Sequence, residues 1–110
     1  MKSYFIDEIE TSDMVLIERY LDKHGREAGI KKLFWIEMPG KNLNILQAGH
    51  EACSPYMFAV ETGDSWIRAE LFVRTSNRIM CTCSGYCDEK QRKYIINYID
   101  NMIKELRVRT

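Results

Sequence analysis

Hydrophobic positions change period several times along this chain, and each change marks an element. Met14, Ile17 and Leu21, joined by Val15, Leu16 and Tyr20, recur at the three-to-four-residue spacing of one helical face. Ser12 and Asp13 are residue types that cap a helix start and Gly25 is one that ends a helix, so the spacing predicts a first helix over 13–25. The preceding Tyr4-Phe5-Ile6 is too short to separate an edge strand from a lead-in packed on the core.

From Lys31 the period becomes two. Phe34, Ile36 and Met38 alternate with Leu33, Trp35 and Glu37, and Pro39-Gly40-Lys41-Asn42 carries the chemistry of a hairpin turn, with Leu43 and Ile45 on the returning strand. After a break at Gly49 to Pro55, Phe58 and Val60 alternate with Met57 and Ala59, and Thr62-Gly63-Asp64-Ser65 predicts a second hairpin turn. The next strand is sharply two-faced: Ile67, Ala69, Leu71 and Val73 form an apolar side, opposite Trp66, Arg68, Glu70, Phe72 and Arg74. Ser76-Asn77 then turns into a last strand with Ile79, Cys81 and Cys83 on one side.

Asp88 followed three residues later by Gln91 has the form of a capping box, and the apolar stripe behind it runs from Tyr94 and Ile95 to Leu106. Lys104, Arg107 and Arg109 continue the helical pattern and suit the negative end of its dipole. The order α-β-β-β-β-β-α predicts one α+β domain over residues 1–110. Its mainly antiparallel five-stranded sheet carries the N-terminal helix and the long C-terminal helix on one face. No repeat, low-complexity run or linker divides it.

Composition narrows the partners. Of 110 residues 45 % are hydrophobic and 29 % charged, which is globular composition, and 16 Lys+Arg balance 16 Asp+Glu. Without a net field, neither nucleic acid nor a membrane surface is an expected partner. No stretch approaches the roughly 20 apolar residues of a membrane span, and Asp7 and Glu8 interrupt the N-terminus before an export signal develops. The expectation is a cytoplasmic protein whose four cysteines are reduced or metal-bound.

No phosphate-cradling loop, dinucleotide fingerprint, H-E-x-x-H or G-x-S-x-G is present, and no catalytic constellation is legible, so a binding domain is expected ahead of an enzyme. Two features carry candidate chemistry. Cys81, Cys83 and Cys87 fall within seven residues, and Cys53 or His50 would complete a tetrahedral set of the kind zinc occupies. The competing reading makes these thiols small core hydrophobes, with no cofactor expected. Cys87, immediately before the cap of the last helix, is also placed for thiolate stabilisation and thiol-redox exchange with Cys83, or for packing as a hydrophobic staple. His50 beside Cys53 lacks a third group to orient it as a base, and His24 suits a helix C-terminus.

The second feature is the sheet face turned away from the helices. Leu33, Trp35, Trp66, Arg68 and Phe72 mix aromatic and arginine side chains as binding surfaces do, which predicts a homodimer or a protein partner on this face. The alternative is that Trp35 and Trp66 cover each other across neighbouring strands. An apolar pocket between sheet and long helix, with Tyr94, Tyr98 or Arg68 orienting a small-molecule ligand, is a third expectation.

Overall fold

The computed structural model describes residues 1–27, 29, 32–75 and 82–110. Its elements are β1 (Ser3–Ile6), α1 (Thr11–His24), β2 (Arg26–Glu27), β3 (Leu33–Glu37), α2 (Ile45–Ala48), β4 (Tyr56–Thr62), β5 (Ile67–Glu70), β6 (Phe72–Thr75), β7 (Gly85–Tyr86) and α3 (Glu89–Leu106). Five strands form an antiparallel sheet in the order β1-β5-β4-β3-β2. β6 pairs with the other end of β4, and the two-residue β7 pairs with β6.

Both long helices cover one face of the sheet, as the hydrophobic pattern predicts. Met14, Ile17 and Leu21 of α1 and Ile95, Ile99 and Met102 of α3 are buried in the cluster that holds Phe34, Ile36, Phe58 and Val60. Each such side chain, withdrawn from water, stabilises the fold by roughly 1.5–3 kcal/mol. Tyr94 and Tyr98 pack edge-on against Phe58 and fill space between sheet and helix. The close approach of α1 to β3 depends on Gly25, where a Cβ would stand 2.6 Å from the Trp35 carbonyl oxygen and 2.5 Å from the Ile36 side chain. None of the helices among the described residues is long and apolar enough to cross a membrane.

Several local expectations are corrected. Helix α1 starts at Thr11 with Glu10 at its cap and no side-chain capping bond, so Ser12 and Asp13 lie in its first turn. Tyr4-Phe5-Ile6, which the sequence leaves open between strand and lead-in, belongs to a strand, paired with β5. Pro39 to Asn42 does not close a hairpin: residues Gly40–Asn42 form a single 3-10 turn, and Ile45 opens the short helix α2 instead of a returning strand. Helix α3 ends at Leu106, and Arg107 reverses the chain with φ 57°, its following Val108 N–H bonding the Ile103 carbonyl. Arg107 and Arg109 therefore do not extend the helix.

The long two-faced strand over 66–74 is divided at Leu71. Ala69 pairs with Val60 and Arg74 with Met57, so five steps on β5–β6 oppose three on β4. The excess of two is even, and an even excess leaves every side chain on its original face. Leu71 and Val73 accordingly stay in the core with Ile67 and Ala69. Cys83 is not on a strand but in the turn before β7, and the last strand expected through Ile79 and Cys81 lies outside the described residues.

Candidate functional site

Two glutamines organise the region that holds the candidate ligands. In α2 the Asn44 side chain accepts the Gln47 N–H at 2.8 Å while the Asn44 N–H donates to Gln47 Oε1 at 3.2 Å. Helix α3 repeats the device with Asp88 and Gln91, at 2.8 and 3.1 Å, as the sequence predicts for that pair. Gln91 Nε2 then donates to Gln47 Oε1 at 2.7 Å, and Gln47 Nε2 donates to the Cys83 carbonyl at 3.0 Å. Gln47 and Gln91 are 1 % and 0 % exposed, and this exchange supplies the partners that buried amides require.

The same network fixes where the cysteine-bearing turn sits relative to the loop after α2. That loop carries His50 and a 3-10 turn over Glu51–Cys53. The Tyr56 hydroxyl donates to the His50 carbonyl at 3.0 Å, the Thr75 hydroxyl donates to the Cys53 carbonyl, and the Cys83 carbonyl is held by Gln47. Each of the three residues is thus anchored through its own backbone carbonyl. Their side chains converge: one ring nitrogen of His50 and the thiol sulfurs of Cys53 and Cys83 all lie within 4.8 Å of one another. Cys53 and Cys83 are buried and His50 is partly buried.

This group can hold a metal ion. Bonds of about 2.3 Å to sulfur and 2.0–2.1 Å to imidazole nitrogen place donor atoms of a tetrahedral site roughly 3.5–3.8 Å apart, so small side-chain rotations would close the three onto one ion. Two thiols and an imidazole are a soft-to-borderline donor set, suited to zinc and unsuited to calcium or magnesium. Of the expected ligands, His50, Cys53 and Cys83 are brought together, Cys81 lies outside the described residues, and Cys87 is not in the group.

Cys87 also departs from the reactive role read from its place before α3. Burial, with the Asp88 carboxylate adding to it, pushes its thiol up to about 11, and these outweigh the lowering by its backbone. A raised thiol pKa favours the protonated form, so this contribution to stability is complete below about pH 9 and is lost as the pH climbs toward 11. We expect alkylation of Cys87 at pH 8, followed by peptide mass spectrometry, to run at least ten times slower than for a small-molecule thiol; a rate equal to or above that thiol would contradict the placement. His24 behaves as its position predicts, stacked on Tyr20 at 4.0 Å with Nδ1 2.9 Å from the Tyr20 carbonyl.

On the outer face of the sheet, register sets side chains in rows. One runs Leu33, Glu61, Arg68 and Phe5; the next begins Trp35, Ala59, with Glu70 and Ser3 beyond. Trp66 stands before β5 beside Gly63, which follows the end of β4 and is four residues on from Ala59, or about 13 Å at strand rise. The two tryptophans therefore do not cover each other. Trp66 packs on Phe5 at 5.7 Å and under the Arg68 guanidinium at 5.3 Å, and it lies so close over Gly63 that a Cβ there would be 2.1 Å from its ring. Phe72 sits against Tyr86 at 5.2 Å, with the Arg74 guanidinium 4.7 Å above it. Where large neighbours surround the small side chain of Ala59, the face sinks into a hollow of about 520 Å³.

Comparison with protein-family models, curated proteins and solved structures gave no match. The chemistry of the chain is therefore read from its own residues. Sequence spacing had offered four cysteines and His50 as one pool, and the fold selects from it. The signal that separates Cys87 is its position after β7, whose pairing with β6 carries its N–H to the Leu71 carbonyl at 3.1 Å. The organising role of Gln47 was missed, although Asn44-x-x-Gln47 repeats the Asp88-x-x-Gln91 pattern.

Proposed function

We propose that this domain binds a zinc-type metal ion through His50, Cys53 and Cys83, and that the ion serves to tie the loop after α2 to the turn before β7. The observation that carries the reading is the convergence of one imidazole and two buried thiols, each on a backbone held by a hydrogen bond from another element. Backbone anchors of this kind hold the ligand-bearing segments in place, so that less freedom is lost when an ion binds. Three protein donors leave one corner of a tetrahedron, for which Cys81, one residue removed from Cys83 in sequence, is the proposed donor. The donor set and its burial suit a structural ion, which stabilises a fold by cross-linking segments distant in sequence.

The test is a pair of mass spectra of tag-free protein, recorded under native and then denaturing conditions. The expected result is one zinc per chain that is lost on denaturation, absent from Cys53→Ser and Cys83→Ser, weakened in Cys81→Ser and unchanged in His24→Ala. A wild-type protein that stays metal-free after incubation with zinc would overturn the reading.

A further inference from the structure

We propose that the free edge of β1 docks a second copy of this chain, which adds its own β1 antiparallel and joins two sheets into one across a two-fold axis. Strand β1 is an end strand of the sheet and, among the described residues, pairs only with β5. The register shows which of its backbone groups are already used. The Leu71 N–H donates to the Lys2 carbonyl at 3.1 Å, so Lys2 faces Leu71 in a hydrogen-bonded pair, and every second residue from there, Tyr4 and Ile6, faces Ala69 and Ile67 in the same way. The far side of β5 agrees: the Gly63 N–H donates to the Trp66 carbonyl at 2.8 Å, which turns the Arg68 groups toward β4 and leaves those of Ala69 and Ile67 for β1. The N–H and C=O groups of Ser3 and Phe5 therefore point away from the sheet, as a template for one more strand.

Sheets blunt their free edges with brevity, charge or proline. The opposite end of this sheet does so, since β2 is two residues long and both, Arg26 and Glu27, are charged. Strand β1 does not: Ser3-Tyr4-Phe5-Ile6 holds neither a charge nor a proline. Phe5 is 49 % exposed even though its ring packs on Trp66, so apolar surface remains to be covered beside the open backbone groups.

The placing of charge selects a second copy as the occupant. Lys2 precedes β1 while Asp7 and Glu8 follow it, and all three are exposed with no ion pair among the described residues. Two copies of β1 laid antiparallel bring Lys2 of each to the acidic end of the other, once on either side of the axis. A parallel pair would set lysine on lysine and acid on acid. Hydrogen-bond parity narrows the register further, because the outward groups of Ser3 and Phe5 must meet outward groups of the copy. With Phe5 on the axis opposite its counterpart, the two phenyl rings meet on the outer face and Lys2 comes opposite Glu8. One short strand from each copy is a small contact, so the dimer is weak and depends on concentration. The edge shares no residue with the metal group, and the two readings stand or fall separately.

The experiment is sedimentation equilibrium of the zinc-incubated protein from micromolar to millimolar concentration, with amide hydrogen exchange read by NMR over the same range. A monomer–dimer equilibrium is expected. The Ser3 and Phe5 amides should exchange about tenfold more slowly in the dimer, whereas the Tyr4 amide, already committed to β5, should change less. Ser3→Pro removes an outward N–H and leaves the bonds to β5 in place, and Phe5→Lys sets like charges on the axis; each should weaken the dimer about tenfold. Both changes touch β1 itself, so exposed charges outside the strand supply a second test that leaves the fold alone. Lys2→Glu, and separately Asp7→Lys combined with Glu8→Lys, should each weaken self-association about fivefold, and a mixture of the two variants should form a heterodimer. A monomer at every concentration, a dimer that Ser3→Pro and Phe5→Lys leave intact, unslowed exchange at Ser3 and Phe5, or charge variants that self-associate like the wild type would each overturn the proposal.

Discussion

Removing the metal with a chelator is expected to lower the melting temperature by about 15 °C, and returning zinc should restore it. At free zinc about a thousand times its dissociation constant, binding to the native state alone stabilises it by about 4 kcal/mol. A domain near this size shifts by about 4 °C for each kcal/mol. The effect has a structural cause: His50 and Cys53 lie before β4, Cys83 lies after β6, and an ion joining them closes a loop that contains three strands. Protons compete with the ion for the thiolates and the imidazole, so the zinc-dependent part of the stability should be lost as the pH falls. Cys53→Ser and Cys83→Ser should melt near the chelated protein and no longer respond to zinc. Scanning calorimetry with and without chelator checks this, and identical melting curves for wild-type protein in both conditions would remove the structural role of the ion.

Gln47→Leu is expected to cost about 3–4 kcal/mol, measured by urea denaturation in the presence of zinc. The change removes the acceptor of the Asn44 N–H and the Gln91 amide, and the donor to the Cys83 carbonyl. Each buried polar group left without a partner costs about 1–3 kcal/mol, only partly offset by the greater apolarity of leucine. Gln91→Leu should also be costly, because it strips the Asp88 N–H of its acceptor and the Gln47 oxygen of one of its two donors. The double variant should cost clearly less than the sum, since the glutamine-to-glutamine bond disappears with both ends at once. Gln47→Leu alone should in addition weaken zinc binding, because it frees the Cys83 carbonyl; Gln91→Leu should do so less. Additive costs with unchanged zinc affinity would show that the glutamines stabilise the helices without positioning the ligands.

The helices and the two faces of the central strands were legible because they depend on periodicity, which burial enforces directly. Phe34 and Ile36 against Leu33 and Trp35, and Ile67 and Ala69 against Arg68 and Glu70, keep the faces that alternation assigns. What failed were places where local chemistry mimics another element. Pro39-Gly40-Lys41-Asn42 has hairpin composition, but no β-ladder continues through Leu43, and the following Ile45 is 94 % exposed, which no core-facing strand position would be. The break at Leu71 is invisible to a period-two pattern because its two-residue excess preserves parity.

Candidate ligands were legible by residue type, not by partner. Cysteine spacing near 83 is conspicuous in sequence, whereas the meeting of Cys83 with His50 and Cys53 follows from the pairing of β4 with β6 and from two glutamines, of which Gln91 reads as part of a helix start and Gln47 falls just after a segment that reads as strand. The hollow over Ala59 is likewise a product of register: a small residue falls between Trp35 and Glu70 only because β3, β4 and β5 align as they do.

The most direct measurement is the absorption spectrum of the protein loaded with cobalt(II) in place of zinc. Thiolate-to-cobalt charge transfer counts the sulfur ligands, and the d–d bands report a tetrahedral field. The expected result is an intense tetrahedral spectrum at one equivalent, displaced stoichiometrically by zinc, with charge transfer reduced in Cys53→Ser and in Cys83→Ser and untouched in Cys87→Ser. A spectrum that stays that of the hydrated octahedral ion, or one that depends on Cys87 and not on Cys53 and Cys83, would contradict the assignment of the metal centre.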